Sequence, residues 1–368
     1  MAKLYLENNM KHESQDQFQK YNQFVRRKKI VLILLTLITL VVALFSVGVG
    51  SINISITEIL KTIFGYGDAQ SKTVIMGIRL PRVIAAVLVG ALLSTSGAVM
   101  QCVLQNPLAS ASTLGVSQGA AFGAALGIIA FGGGVVNSAS AASAVTINNP
   151  YIVTLCAFVF GAISTIVIIA ISQFKKDIGP SGLILAGVAL SSLFSGGSTL
   201  LQYFSDEQKI GAVVFWTFGN LGGASWKEIL ILAVVFAASM VYFIWNRWNY
   251  NAMESGADTA QSLGINTRRT MMISMGISSL SAAVAVSFVG IIGFVGLVAP
   301  HIMRLFVGND YRYLVPSSAV AGALLLVLAD TFGKSVIAPV ILPIGAITSF
   351  LGAPMFLFLL FRGGKKYG

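Results

Sequence analysis

Ten stretches of the chain are apolar over the length needed to cross a bilayer, near residues 30–50, 83–102, 115–132, 151–172, 182–204, 227–245, 271–290, 291–307, 314–331 and 343–361. A hydrocarbon core about 30 Å thick is crossed by roughly 20 helical residues. Inside it the backbone must satisfy its own hydrogen bonds, so each stretch is read as a helix. Composition closes off the soluble alternative. Hydrophobic residues make up 56% of the chain and charged residues 10%, against about 25% charged in an average soluble domain. One globular core cannot hide that much apolar surface. The predicted fold is all-α, a polytopic membrane protein of about ten transmembrane helices.

Charge orients the helices. Residues 1–29 are polar and end in Arg26-Arg27-Lys28-Lys29. That segment is too long, and the apolar run after it too full, for a cleaved signal peptide, so 1–29 is read as a cytoplasmic tail before a retained first helix. Residues 30–362 then form a single transmembrane domain and 363–368 a short cytoplasmic C-terminal tail. With the N-terminus inside and ten spans, most of the 24 Lys and Arg residues fall in cytoplasmic segments, as the positive-inside rule asks. The boundary near 290 decides the count, because Gly290, Gly293 and Gly296 interrupt one long apolar stretch. A single span there would give nine helices and move the C-terminus outside. Arg79 and Arg82 run against the bias, since this topology puts both outside. The net charge of +11 sits at the ends of apolar runs, which marks membrane topology rather than a nucleic-acid footprint. Gly119, Gly123 and Gly127 line one helix face and permit close helix packing. Gly132–Ser143 reads as an external loop, and Cys102 and Cys156, in or beside apolar runs, as packed small residues without a disulfide framework.

The chemistry-bearing residues are sparse. Nearly all carboxylates fall in tails or loops, Asp330 falls at a span end, and no span carries an acid at its centre. Ion-coupled transporters usually need intramembrane ionisable sites, which argues against a secondary transporter, although unwound backbone carbonyls can also bind Na⁺. Neither a paired-carboxylate nor a metal-cluster enzyme is expected, and no metal or cofactor. His301, alone after Pro300, is read as a structural residue rather than a ligand. Gly333-Lys334-Ser335 imitates the end of a phosphate-binding loop, but Leu328 stands where that motif needs glycine. Lys334 is instead read as an external loop cation. A chain with many spans and no energy source of its own fits a passive pore or a subunit driven by a separate ATPase.

Four segments carry a resemblance to a known family. They are Ile78-Arg79-Leu80-Pro81-Arg82 running into Val89-Gly90-Ala91-Leu92-Leu93; Ser96-Gly97-Ala98-Val99-Met100-Gln101 followed by Asn106-Pro107-Leu108-Ala109 and Leu114-Gly115-Val116-Ser117-Gln118-Gly119-Ala120; Gly293-Phe294-Val295-Gly296-Leu297-Val298-Ala299-Pro300-His301-Ile302-Met303-Arg304; and Leu342-Pro343-Ile344-Gly345 with Leu351-Gly352-Ala353-Pro354-Met355-Phe356. In this order and spacing the chain resembles the iron-siderophore and vitamin B12 permeases, the type II ABC importers.

The resemblance implies a ten-helix permease subunit of the bacterial cytoplasmic membrane, both termini cytoplasmic, surrounded by membrane lipid and bearing no enzymatic activity of its own. Its implied partners are a second permease subunit, two cytoplasmic ATP-binding subunits and an extracytoplasmic substrate-binding protein. The implied ligand is a ferric siderophore, with heme or cobalamin as alternatives. Arg79 and Arg82 match the family's external docking arginines, and Lys334 stands where another docking cation is expected. Such a rim would steer and orient an acidic partner. The resemblance puts the ATPase-coupling helices in 246–269, which contains Glu254, Gly256, Ala257, Ala260, Leu263 and Gly264. There Ala257, Ala260, Leu263 and Gly264 recur at helical spacing as a small apolar face, and Gly264 is placed to end the helix. The fifth and tenth helices are expected to line the pathway, with Ser181 as a gate candidate.

Overall fold

The computed structural model describes residues 2–50, 54–133, 149–175, 178–337 and 340–363, and among them only helices, turns and irregular segments occur. The external loop expected at Gly132–Ser143 lies outside the described residues apart from its first two positions.

Helix α1 runs from Ala2–Gly48 without a break. No proline and no internal glycine interrupts it, so the polar 1–29 segment continues directly into the first apolar run. Two short helices follow, α2 (Ile56–Ile63) and α3 (Ala69–Val74). Ser55 caps the first by accepting from the Glu58 amide, and Asp68 caps the second by accepting from the Ser71 amide. Neither belongs to a predicted span. Helix α3 passes through one π turn, Ile75–Arg79, into α4 (Leu80–Val103). Pro81 explains the turn. It offers no amide to the carbonyl four residues back and its ring crowds that carbonyl, so the chain widens locally instead of ending.

The remaining helices are α5 (Val116–Ile129), α6 (Pro150–Phe174), α7 (Pro180–Tyr203), α8 (Glu207–Thr217), α9 (Trp226–Trp245), α10 (Arg247–Glu254), α11 (Ala257–Ser262), α12 (Thr267–Val289), α13 (Val295–Val307), α14 (Tyr311–Ser335) and α15 (Ile344–Gly363). Seven helices are long and apolar enough to cross a membrane, at Asn22–Gly48, Ala69–Val103, Pro150–Phe174, Pro180–Tyr203, Trp226–Trp245, Thr267–Val289 and Tyr311–Ser335. Each coincides with a predicted span. The other three predicted runs are the shorter apolar helices Val116–Ile129, Val295–Val307 and Ile344–Phe358.

Helices α4, α14 and α12 form the centre. Their most apolar windows are 78%, 67% and 61% buried, against 17% for α1 and α7. The centre is tight because glycines let backbones touch: an added Cβ at Gly90 would strike the Gly322 carbonyl of α14, and one at Gly97 the Gly296 carbonyl of α13. The Gly119, Gly123 and Gly127 face meets the backbone of α6 in the same way, so this spacing serves packing within the subunit.

The long apolar stretch across 290 is broken in two. Gly290 and Phe294 have φ of +77° and +64°, and the residues between them are not helical. Asn220 donates its amide to the Val289 carbonyl at 2.7 Å, satisfying one of the acceptors that the end of α12 leaves open.

Candidate functional site

Chemistry-bearing side chains gather at the two ends of the bundle. At the α4 N-terminal end, Arg82 donates from Nε to Asp330 Oδ1 at 2.8 Å and pairs through Nη2 at 2.7 Å. Lys334, one turn after Asp330 on α14, pairs with its other oxygen at 2.8 Å and donates to Ser46 Oγ at 3.1 Å. Asp330 is 1% exposed, and the side chains of Arg82 and Lys334 are 10% and 9% exposed. Arg79, half-buried, donates to the carbonyls of Val47 and Gly48 at 3.1 and 2.9 Å, where α1 leaves acceptors unfilled and its dipole favours a cation.

The three cations expected on an external rim are thus brought to one end of the bundle. Two of them are turned onto a shared carboxylate. Lys334 lies in the last turn of α14 rather than in a loop, so the loop reading is corrected. Sequence reasoning noted Asp330 only as a span-end acid. The usable signals were an acid inside an apolar helix and its i, i+4 spacing to Lys334. A cavity of about 420 Å³ opens beside Arg82, with Asn220, Glu228, Trp216 and the 341–344 segment in its wall.

At the opposite end, the 246–269 segment is ordered as α10 and α11. Gly256, with φ of +110°, makes the bend between them. Gly264, with φ of +83°, ends α11: its amide reaches the Gln261 carbonyl and the Ile265 amide reaches Ala260, at 2.9 and 3.0 Å, a Schellman closure. The expected small-residue face divides. Ala260 is buried against the bundle, whereas Ala257, Leu263 and Gly264 are exposed, Leu263 by 68%. Leu263 lies just past the last residue of α11.

Glu254 points inward. Its Oε1 accepts from Asn309 Nδ2 at 2.7 Å and its Oε2 from the Tyr311 hydroxyl at 3.2 Å. Asn251 Oδ1 accepts from the Tyr311 amide at 2.7 Å, and Gln105 donates to the Met253 carbonyl at 2.6 Å. Arg304 of α13 donates to Gln101 of α4 and, at 3.2 Å, to the Tyr311 hydroxyl. Just outside α14, Asp310 pairs with Lys28 at 3.5 Å and with Arg312 at 2.7 Å. Burial alone would raise the Asp310 pKa; hydrogen bonds from Arg312 and Asn251 overcome this and hold it at about 2. None of Gln101, Arg304, Tyr311 and Asp310 was singled out as a site residue from sequence. Ser181 is exposed in the first turn of α7, and His301 lies half-buried on α13.

The sequence profile of the FecCD transport family matches residues 37–362. The chain belongs to that family. The match begins within α1 and ends within α15, so it takes in both clusters apart from Lys28. An ABC transporter permease protein of Methanocaldococcus jannaschii, so named, is 47% identical over 95% of this chain and 99% of its own length. The Fe(3+)-citrate import system permease of Bacillus subtilis is 34% identical over 93% of this chain and 97% of its own. Among solved structures, an inward-facing conformation described as a metal-chelate type ABC transporter superposes with a TM-score of 0.78 at 30% identity, covering 91% of this chain and 99% of that one. With the family established, the apolar helices make this a multi-pass membrane protein.

Proposed function

We propose that this chain is the permease subunit of an ABC importer that carries a ferric siderophore across the cytoplasmic membrane by ATP-driven alternating access. The family match over 37–362 carries the reading. The iron-citrate relative and the metal-chelate structure favour a ferric chelate over cobalamin. In this reading the ten apolar helices are ten spans with both termini cytoplasmic. A second permease copy or homologue completes the pathway, with Ser181 at its cytoplasmic gate. Two separate ATPase subunits, which alone hydrolyse ATP, seat against α10 and α11.

The geometry supports a division of labour between the ends. The Arg79 end gathers Arg79, Arg82 and Lys334, the latter two on the carboxylate of Asp330, a basic cluster that suits an acidic face on a substrate-binding protein. The opposite end presents Ala257, Leu263 and Gly264 beside an ordered bend, small and apolar positions among polar ones that suit close docking.

Uptake of radiolabelled iron, supplied as a panel of ferric siderophores or as hemin, tests this in cells carrying the complete transporter. Leu263→Asp is the informative variant, because that side chain is 68% exposed and its change leaves the fold intact. One ligand's uptake should depend on the chain and fall about tenfold in Leu263→Asp at equal membrane level, a change equivalent to about 1.4 kcal/mol. Uptake of every ligand indifferent to deletion of the chain would sink the importer reading.

A further inference from the structure

We propose that the Tyr311 hydroxyl is the joint through which α10 grips the membrane spans, and that Glu254 is a positioning residue acting on Tyr311 rather than a contact offered to an ATPase subunit. The inference rests on the importer reading above and names how motion at α10 would enter the bundle.

Tyr311 is 1% exposed, its ring packed 5.7 Å from that of Tyr250. Its oxygen receives a hydrogen bond from Arg304. The hydroxyl carries one proton but faces two acceptors, Glu254 Oε2 at 3.2 Å and the Ala98 carbonyl of α4 at 3.5 Å. It cannot serve both well at once. When α10 lies close, Glu254 takes the proton's hydrogen bond; when α10 withdraws, the Ala98 carbonyl is there to receive it. Other ties hold α10 as well: Asn251 accepts from the Tyr311 amide, Gln105 donates to the Met253 carbonyl, Cys102 donates to the Tyr250 carbonyl and the Tyr250 hydroxyl meets Ser274.

The chain continues beyond the hydroxyl. Arg304 bridges Tyr311 to Gln101, so one side-chain path joins α10, α14, α13 and α4. Gln101 Nε2 and Arg304 Nε are buried with no hydrogen-bond partner among the described residues. Buried donors are normally satisfied. Unfilled donors on the two residues beyond Tyr311 leave this network room to exchange partners. A discrete two-state contact of this kind is what carries coupling across a packed bundle.

The test is hydrogen–deuterium exchange of the purified full-length chain in lipid nanodiscs, with wild type, Tyr311→Phe, Glu254→Gln and the double variant. Tyr311→Phe keeps the ring and removes the proton. Each single variant should speed exchange of the 247–262 amides about tenfold, the scale of one lost buried hydrogen bond, with α9 and the outer half of α12 unchanged. Tyr311→Phe should add nothing in the Glu254→Gln background. Unchanged exchange in 247–262, or additive effects in the double variant, overturns the proposal.

Uptake of radiolabelled iron, as ferric citrate, a ferric hydroxamate or hemin, supplies the second readout. At equal membrane level Tyr311→Phe should lower maximal uptake several-fold and leave the half-saturating concentration unchanged. Unchanged maximal uptake in cells where wild type transports also overturns it. The exchange pattern without any wild-type uptake would mean that the joint exists and the importer reading is wrong. Wild-type uptake without the exchange pattern would mean the reverse.

Discussion

At one end of α4, Arg82 shares the buried carboxylate of Asp330 with Lys334; at the other, Gln101 accepts from Arg304 inside a network whose hydrogen bonds mostly join one charged group to a neutral one. Both ends bury polar groups between the same central helices, but the terms differ. The Arg82 end is a cluster of ions in which Arg82 and Lys334 lose their shared partner if Asp330 is removed. The Gln101 end is a mesh of hydrogen bonds in which one loss leaves several others standing. Ion pairs taken out of water are held by mutual attraction set against a heavy desolvation cost, whereas a hydrogen bond between one charged and one neutral group contributes about 1.5–3 kcal/mol. The first arrangement suits a fixed charged platform. The second suits contacts that must exchange.

The sharpest way to break this contrast is Asp330→Asn. It leaves Arg82 and Lys334 buried without their carboxylate, and breaking a buried pair from one side costs about 3–5 kcal/mol. The purified variant should lose that much stability to denaturant, or fail to accumulate in membranes. Adding Lys334→Met should recover part of the loss by removing one of the stranded cations. If Asp330→Asn is as stable as wild type, the cluster is solvated in the membrane and the platform reading fails.

Why Asp330 escaped sequence reasoning is itself physical. Its main partner, Arg82, lies 248 residues away, and no local periodicity encodes a pairing across two helices. The spans were legible because the bilayer imposes one length and one polarity on each. The break at Gly290 was visible as a glycine run but its reality was not, since only the positive φ at Gly290 and Phe294 ends the helix there. Gly264 was legible as a helix end because a left-handed residue after a polar turn has few uses besides closing one. Helices α2 and α3 and the π turn were missed: the first two are too short for an apolar pattern, and the turn needs the neighbouring Pro81 to be read as a widening rather than a stop. Tyr311 escaped because a tyrosine beside a charged cluster has no spacing signature. Its significance comes from three partners on three other elements: Glu254 on α10, Arg304 on α13 and Ala98 on α4.

A second variant sharpens the comparison from the other end. Arg304 sends one guanidinium nitrogen to Gln101 and the other to the Tyr311 hydroxyl. Lysine brings one point charge and cannot hold both in that geometry. Arg304→Lys should therefore cost less than Asp330→Asn, about 1–3 kcal/mol for the partner left unsatisfied, measured in the same denaturant titration. A loss equal to that of Asp330→Asn would mean that the mesh is as brittle as the ion cluster, and the contrast between the ends would be false.

The smallest effect concerns Asp310, which is tied to Lys28 on one side and Arg312 on the other. Its folded pKa of about 2 lies below the ordinary carboxylate value, despite the burial that opposes this. A depressed folded pKa means that the unfolded chain takes up the proton first as the solution is acidified. The contribution to stability is therefore complete above about pH 4, the value for an unperturbed Asp, and drains away between about pH 4 and pH 2. Asp310→Asn should flatten that part of the acid-side stability curve, by less than about 1 kcal/mol because the Lys28 contact is loose and Arg312 is partly solvated. Thermal unfolding between pH 5 and pH 2 reads this directly. If the two curves fall in parallel below pH 4, Asp310 contributes no acid-linked stability, and the charge at this end is as dispensable as the mesh around it implies.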